Sequence, residues 1–402
     1  MAASSSPDIL VKTMSVSLPR ASRIAVLGTS LVQQNHIGDA TSLATSARGW
    51  MSWAEVLSHG RLCCPVHHDP GVPPGWEPSN RPGVSRSFFG LNFGVSGQKA
   101  IEIERRLPRL LQSDFDLIIV DAGTNDMMVE TRQMIADTRA RIVSALLDAG
   151  KTVILLPILA RGIGKWPAGG AERAKAHWIN RQSIEFAADH ANCHVFDWNS
   201  AWVDPESEFG EPYPGYSDDG THFAVTGAFA VGKLLANYLE TIVPRAPARI
   251  LARDDRFDKV NNPAGNLASD FSALTVTEMR EQSHRLGGQL VHPGTGSWVE
   301  AICDVEVPAH SDVLGISLRL KDAAAEGQEA VALAPFRGED GTFFPFPATQ
   351  WSGALRTPSL KLRAGEAPPE LFLDVILRPG SRPIEIDVAR IELRPLSSPV
   401  RP

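Results

Sequence analysis

The chain is poor in cysteine. Its four thiols among 402 residues are Cys63, Cys64, Cys193 and Cys303. Their number and spacing fit neither a disulfide framework nor a zinc site, and adjacent Cys63 and Cys64 read as half-buried thiols. No run approaches the roughly 18 apolar residues that would cross a bilayer. Residues 1–23 are Ser-rich and lack the apolar stretch of a secretory leader. These absences lead us to expect a soluble protein, cytoplasmic by default, with export by another route left open. An excess of positive charge is missing too, since 39 Lys and Arg stand against 46 Asp and Glu, a net charge of −7. Nothing therefore favours nucleic acid or an anionic membrane as a partner. The expected partner is a small or neutral molecule, and the oligomeric state is open.

Several motifs are absent as well. There is no Gly-x-Ser-x-Gly elbow, which argues against the ordinary α/β-hydrolase fold, and no phosphate-binding Gly-rich loop. No His-Glu-x-x-His helix occurs, and His67-His68-Asp69 lacks a second ligand cluster, so it reads as part of a solvated loop. We expect no metal and no cofactor.

What is present is ordinary globular material, 43% apolar and 21% charged, in two patterns. From Arg23 to about Pro247, short apolar runs alternate with longer amphipathic ones. Arg23–Gly28, Asp116–Asp121, Thr152–Pro157 and His194–Asp197 read as buried strands, and Gln98–Gln112, Glu130–Ala149, Gly170–His190 and Ala224–Glu240 as helices. That is the pattern of an α/β domain, a parallel sheet between helices. Pro65–Gly90, rich in Pro and Gly, reads as a long irregular loop. After Arg249 the period becomes two. Val299–Val307, Leu314–Leu320 and Leu371–Leu377 alternate as half-buried antiparallel strands, and Gly338–Gly341 fits a hairpin turn. Ile384, Ile386 and Val388 are followed out of phase by Ile391 and Leu393, which predicts a bulge. The expected organisation is an extension over 1–22, an α/β domain over 23–247 and an all-β sandwich over 250–397.

Four segments could carry chemistry. Gly28-Thr29-Ser30-Leu31 follows the first strand, at the carboxyl end of the sheet where ligands of such folds bind; alone, Ser30 would read as a helix N-cap. Asn125, in Asp121–Asp126, comes to the same rim and can donate to a developing oxyanion. Gly97, in Asn92–Gly97, can bring a backbone N–H close to a ligand. Asp219 and His222, three apart around a Gly-containing turn, can pair carboxylate with imidazole and leave the other ring nitrogen free.

Together these segments resemble the SGNH, or GDSL-type, serine hydrolases, whose four blocks supply Ser, Gly, Asn and His in that chain order. Gly28-Thr29-Ser30-Leu31 stands where that family has Gly-Asp-Ser-Leu. Asn92–Gly97 fits its glycine block, Gly123–Asp126 its asparagine block, and Asp219–His222 its Asp-x-x-His. Trp50 and Trp53 before Ala54–Leu57, and Arg106–Leu111, also look like family helices. The resemblance spans some 200 residues. It implies a flavodoxin-like α/β fold with an added jelly-roll-like β-sandwich, a Ser30 nucleophile, a His222 base oriented by Asp219, and an oxyanion hole of the Ser30 and Gly97 N–H groups with the Asn125 amide. Thr29 departs from the family's Asp, which bears on the hydrogen bonding of that loop.

The activity implied is ester hydrolysis through an acyl-enzyme, removing short acyl groups such as acetyl from carbohydrate or other small esters. An acyltransferase, or a non-catalytic glycan-binding protein on the same scaffold, is the alternative. Arg161, Trp166 and Trp178 are the substrate-binding candidates from the loops, and Trp298 and Trp351 the glycan-facing candidates in the β region.

Overall fold

The structure is a computed structural model, and it describes residues 24–37, 44–45, 48–57, 75–78, 85–88, 92–113, 115–243, 256–263, 265–268, 274–276, 282–286, 290–307, 313–322, 329–332, 353–356, 360–377, 380 and 382–396. The chain begins with β1 (Ile24–Gly28), α1 (Ser30–Gln33), the short pair β2 (His36–Ile37) and β3 (Ala44–Thr45), and α2 (Trp50–Leu57). A hairpin follows, β4 (Gly75–Pro78) and β5 (Ser85–Phe88), then β6 (Asn92–Gly94), α3 (Ala100–Glu104), α4 (Leu107–Leu111) and β7 (Leu117–Val120). Next come α5 (Arg132–Asp148), β8 (Thr152–Leu155), α6 (Ala171–Ala188), β9 (Cys193–Val195), α7 (Asn199–Trp202) and α8 (Val225–Leu239).

Strands β6, β1, β7, β8 and β9, in that order, make one parallel sheet. Every residue of β1, β7 and β8 is buried, as continuous apolar strands covered on both faces require. Alternate residues feed two cores. Ile24, Val26, Leu117, Ile119 and Ile154 pack with Trp50, Trp53 and Leu235 of α2 and α8. Their neighbours Ala25, Leu27, Ile118, Val120 and Val153 pack with Ile103, Leu110, Ile142 and Leu146 of α3, α4 and α5. Each such buried aliphatic side chain contributes about 1.5–3 kcal/mol relative to exposure. The sheet is thereby clamped from both sides, and its carboxyl rim is held rigid.

Two expectations need correction, and one strand is added that the sequence pattern does not announce. The helix expected over Gln98–Gln112 is two helices, because Pro108 lacks the N–H that would bond the Glu104 carbonyl. Asn92–Gly94 is an edge strand in register with Val26–Gly28; at three residues it carries no periodicity to read. Within the loop expected at Pro65–Gly90, Gly75–Pro78 and Ser85–Phe88 pair antiparallel, with Gly75 and Pro78 at the ends of the ladder where such residues are tolerated.

Beyond residue 256 come β10 (Leu274–Val276), β11 (Gln282–Leu286), β12 (Trp298–Val307), β13 (Val313–Asp322), β14 (Glu329–Ala332), β15 (Gly353–Arg356), β16 (Leu360–Arg363), β17 (Pro369–Leu377) and β18 (Ile384–Leu396). They form two antiparallel sheets, β10-β18-β12-β15 with β16 also on β12, and β11-β17-β13-β14. Val299, Ala301, Cys303 and Val305 of the first sheet share an apolar cluster with Leu371, Leu373, Val375 and Leu377 of the second. The expected phase slip is a bulge: Asp304 pairs with Arg390 and Val305 with Val388, so Ala389 is skipped. The junction expected at 247–250, the turn at 338–341, Cys63, Cys64, His67, His68, Asp69, Trp351 and the Trp298 side chain lie outside the described residues.

Candidate active site

The sheet's carboxyl rim brings three of the four segments together through β1, β6 and β7, and the fourth arrives on the turn before α8. At the end of β1, Thr29 and not Ser30 is the N-cap of α1: its hydroxyl oxygen accepts the Leu31 N–H at 3.4 Å. Ser30 is the first helical residue, so its N–H is one that the helix leaves without an acceptor. Its hydroxyl stands 2.9 Å from His222 Nε2.

The other ring nitrogen, His222 Nδ1, lies 2.8 Å from Asp219 Oδ2. Asp219 Oδ1 accepts the backbone N–H groups of Thr221 and His222 at 2.9 and 2.8 Å. Gly220, between them, has φ +74°, a conformation open to glycine and costly for other residues. Partial burial raises the Asp219 pKa, but the backbone and ring hydrogen bonds of His222 and the Thr221 N–H outweigh it and hold the carboxyl well below its usual range. Asp218 is turned away, bonded to Arg48 at 3.1 Å. The Ser217 hydroxyl donates to the His222 carbonyl at 2.7 Å, and the Phe223 N–H reaches Gln34 Oε1 at 3.4 Å.

Gly97 sits in the turn after β6 with φ +79°. It does not open a helix directly, since α3 starts three residues later. The preceding Ser96 N–H is tied to Gln33 Oε1 at 2.7 Å, which fixes the turn against α1. Asn125 lies in a short 3-10 turn after β7 and donates one amide hydrogen to the Gln98 carbonyl at 3.0 Å, leaving its second amide hydrogen for another acceptor. Asp126 accepts the Ala100 N–H with both oxygens, at 3.2 and 3.0 Å, and so joins the asparagine and glycine segments.

Supporting residues escaped the sequence reading. Arg106 is buried and donates to the carbonyls of Phe93 at 2.6 Å and Gly28 at 3.0 Å, binding the ends of β6 and β1. Arg139 is buried and donates to the carbonyls of Ala122 and, at 2.7 Å, Leu156, and to Ser183 Oγ at 3.2 Å; burial lowers its pKa to about 10. Asp121, buried at the end of β7, accepts the Thr29 hydroxyl at 2.6 Å and the Thr29 N–H at 3.3 Å. Each of these contacts joins segments far apart in the chain, so no local pattern signals it.

The three loop candidates divide. Arg161 comes to the rim: the adjacent Gly162 N–H bonds the Gly220 carbonyl at 2.9 Å, and the guanidinium reaches Thr124 Oγ1 at 3.4 Å. Burial lowers its pKa, against the opposing pull of Asp121 and Asp219. Trp166 lies beside it, its ring centre 5.9 Å from the Arg161 guanidinium. Only 2% exposed, it packs with Met127, Ile135 and Ile179 and also walls a cavity of about 300 Å³ with Ala160 and Phe209. Trp178 is half-buried against that same cluster, with the Arg132 guanidinium 4.7 Å from its ring centre. Its large apolar area draws it into the α5–α6 contact. Among the described residues no group of three or more His, Cys, Asp or Glu is placed to hold a metal ion, and no helix is long and apolar enough to cross a membrane.

With this geometry in place, comparison with known proteins is decisive at the level of family. The sequence pattern of the GDSL-like lipase/acylhydrolase family matches residues 26–228. The chain belongs to that family. As a GDSL-family acylhydrolase it has the parallel α/β sheet of that fold, with the antiparallel sheets added C-terminally. Similar solved structures include a GDSL-like lipase from Bacteroides thetaiotaomicron, with 15% identity, a TM-score of 0.39, and coverage of 56% of this chain and 92% of that one. A carbohydrate esterase family 3 protein from Talaromyces cellulolyticus has 17% identity and a TM-score of 0.36, covering 54% and 96%. An acetyl xylan esterase has 12% identity and a TM-score of 0.38, covering 54% and 99%. No curated protein matches the chain.

Proposed function

We propose that this acylhydrolase is a serine esterase working through an acyl-enzyme on Ser30. The observation that carries the reading is the unbroken chain from Ser30 Oγ to His222 Nε2, 2.9 Å, and from His222 Nδ1 to Asp219 Oδ2, 2.8 Å. A serine hydroxyl is a weak nucleophile until a base takes its proton, and neutral imidazole does so near neutral pH. Asp219, held ionised, keeps Nδ1 protonated and favours the imidazolium once formed.

Attack by Ser30 Oγ on the ester carbonyl gives a tetrahedral oxyanion. Three donors serve it in this reading: the Ser30 N–H at the start of α1, the Gly97 N–H, and the free amide hydrogen of Asn125. His222 then gives its proton to the departing alcohol. Water enters, loses a proton to His222 and releases the acid, and Ser30 regains its hydrogen.

The substrate in this reading is a short acyl ester, acetyl foremost, of a carbohydrate or other small alcohol; the appended β sheets, in the manner of an accessory substrate-holding module, support it. The test combines turnover of 4-nitrophenyl acetate with labelling by a fluorophosphonate and mass analysis of the peptide that holds Ser30. We expect turnover, with label on Ser30 and none in Ser30→Ala. Turnover without label at Ser30, or no turnover of any short ester, overturns the reading.

A further inference from the structure

Arg106, Arg139, Arg161 and Arg173 are partly or wholly removed from water, and Arg106, Arg139 and Arg173 direct their terminal guanidinium NH2 groups at the protein. Arg106 bonds two strand-end carbonyls, and Arg139 two carbonyls and a serine. Arg173 bonds the carbonyls of Arg161 and Trp166 at 3.0 and 3.2 Å, and that of Gly210 at 3.4 Å. Arg161 is different. Among the described residues its guanidinium has one hydrogen bond, the long 3.4 Å contact with Thr124 Oγ1, and otherwise rests 5.9 Å from the Trp166 ring centre.

The carboxylates whose fields reach Arg161 are Asp121 and Asp219, and both are committed elsewhere. Asp121 is taken up by Thr29, and Asp219 by His222 and Thr221. Neither forms an ion pair with Arg161. The remaining N–H groups of this half-buried guanidinium are not among the buried polar atoms without a partner, so they stand open to solvent and to an acceptor arriving with the substrate.

The backbone that carries it is pinned by hydrogen bonds. The Arg161 carbonyl is held by Arg173 at 3.0 Å. On either side, the Ala160 N–H bonds Asn199 Oδ1 at 2.8 Å and the Gly162 N–H bonds the Gly220 carbonyl at 2.9 Å. One end of this frame is the turn that carries Asp219 and His222. Thr124, which the guanidinium touches, adjoins Asn125. The positive charge therefore stands between the base side and the amide side of the centre that acts on the ester.

We propose that Arg161 is a specificity residue that selects esters bearing an anionic group, a carboxylate or a phosphate, close to the scissile bond. A planar guanidinium fork can hold either group through two parallel hydrogen bonds. The inference rests on the reading of Ser30, His222 and Asn125 as the reacting centre.

Two pairs of esters locate the charge. On the acyl side, 4-nitrophenyl hydrogen succinate is compared with 4-nitrophenyl butyrate; on the alcohol side, 4-acetoxybenzoate is compared with 4-acetoxybenzamide. The wild-type enzyme should prefer the charged member of one pair. Arg161→Gln should lower that charged-to-neutral ratio of kcat/KM by about 10–100-fold, the loss of a charge-assisted pair, and Arg161→Lys should restore part of it. A wild-type enzyme with no preference for the charged member of either pair overturns the proposal without any variant, as does a ratio unchanged in a folded Arg161→Gln protein. Binding provides a separate arm: succinate and inorganic phosphate are titrated calorimetrically into Ser30→Ala, where one of them should bind and should fail to bind once Arg161→Gln is added. Anion binding in a protein that turns over no ester would overturn the Ser30 reading and leave the anion site standing. Ester turnover with neither anion preference nor anion binding would overturn the anion site alone.

Discussion

The Thr29 hydroxyl donates to Asp121 Oδ2 at 2.6 Å across 92 residues of sequence, at the point where β1 and β7 deliver their loops. Burial pushes the Asp121 carboxyl up from its ordinary value, and the two Thr29 hydrogen bonds pull it back. The same hydroxyl oxygen caps α1, directly ahead of Ser30. Thr29→Val should therefore cost about 1–3 kcal/mol through a buried carboxylate left short of a donor, and Thr29→Ser should recover most of it. Thermal unfolding of the two variants checks this; an unchanged Tm in Thr29→Val removes the role.

Ser30→Ala should lower turnover of 4-nitrophenyl acetate by about 10⁴-fold or more, because only binding and oxyanion donors are left. Among the described residues the Ser30 side chain has one hydrogen-bond partner, His222, so the unfolding midpoint should move little. Activity near the wild-type rate would identify another nucleophile.

Asn125→Ala should reduce kcat by about 10²–10³ with a much smaller effect on KM, since the free amide hydrogen meets charge that exists mainly in the transition state. The variant also frees the Gln98 carbonyl, which Asn125 holds at 3.0 Å. Steady-state kinetics on a short ester decide it. A change in KM alone would place Asn125 in ground-state binding.

The pH dependence follows from Asp219. Its folded-state carboxyl is held below the ordinary value, so it stays ionised from neutral into weakly acid solution. Activity should fall toward acid along a limb of one proton, read from a log kcat/KM profile; a two-proton limb would implicate the carboxylate. The sign for stability is that of a depressed carboxyl. The contribution is present above the unfolded-state pKa and is lost as pH falls through the folded one. The Tm deficit of Asp219→Asn should accordingly be larger at pH 6 than at pH 3, and a deficit independent of pH would count against the pairing.

Much of this fold was legible because it is written locally. The strands around Val26, Ile119 and Ile154 are short apolar runs, and doubly covered strands must be apolar on both faces. The bulge at Ala389 is visible as a slip in a period of two, and the structure has it where the phase changes. The four segments were legible too, since each pairs a chemical residue with its own turn, as Gly220 does for Asp219 and His222.

The tertiary structure decided whatever depends on residues distant in the chain. It set Ser30 and His222, 192 positions apart, at hydrogen-bond distance, a contact that no local pattern encodes. It gave the cap of α1 to Thr29 and so left the Ser30 hydroxyl facing the imidazole. It buried Trp166 and covered Trp178, because an aromatic ring on an amphipathic segment reads the same whether a cavity wall or solvent lies beyond it. It also left Arg161 at the rim with a single long hydrogen bond among the described residues while burying Arg106 and Arg139 against carbonyls. The sequence marks all three as arginine; only the packing of β1, β6, β7 and β8 determines which carbonyls are left for each to bind.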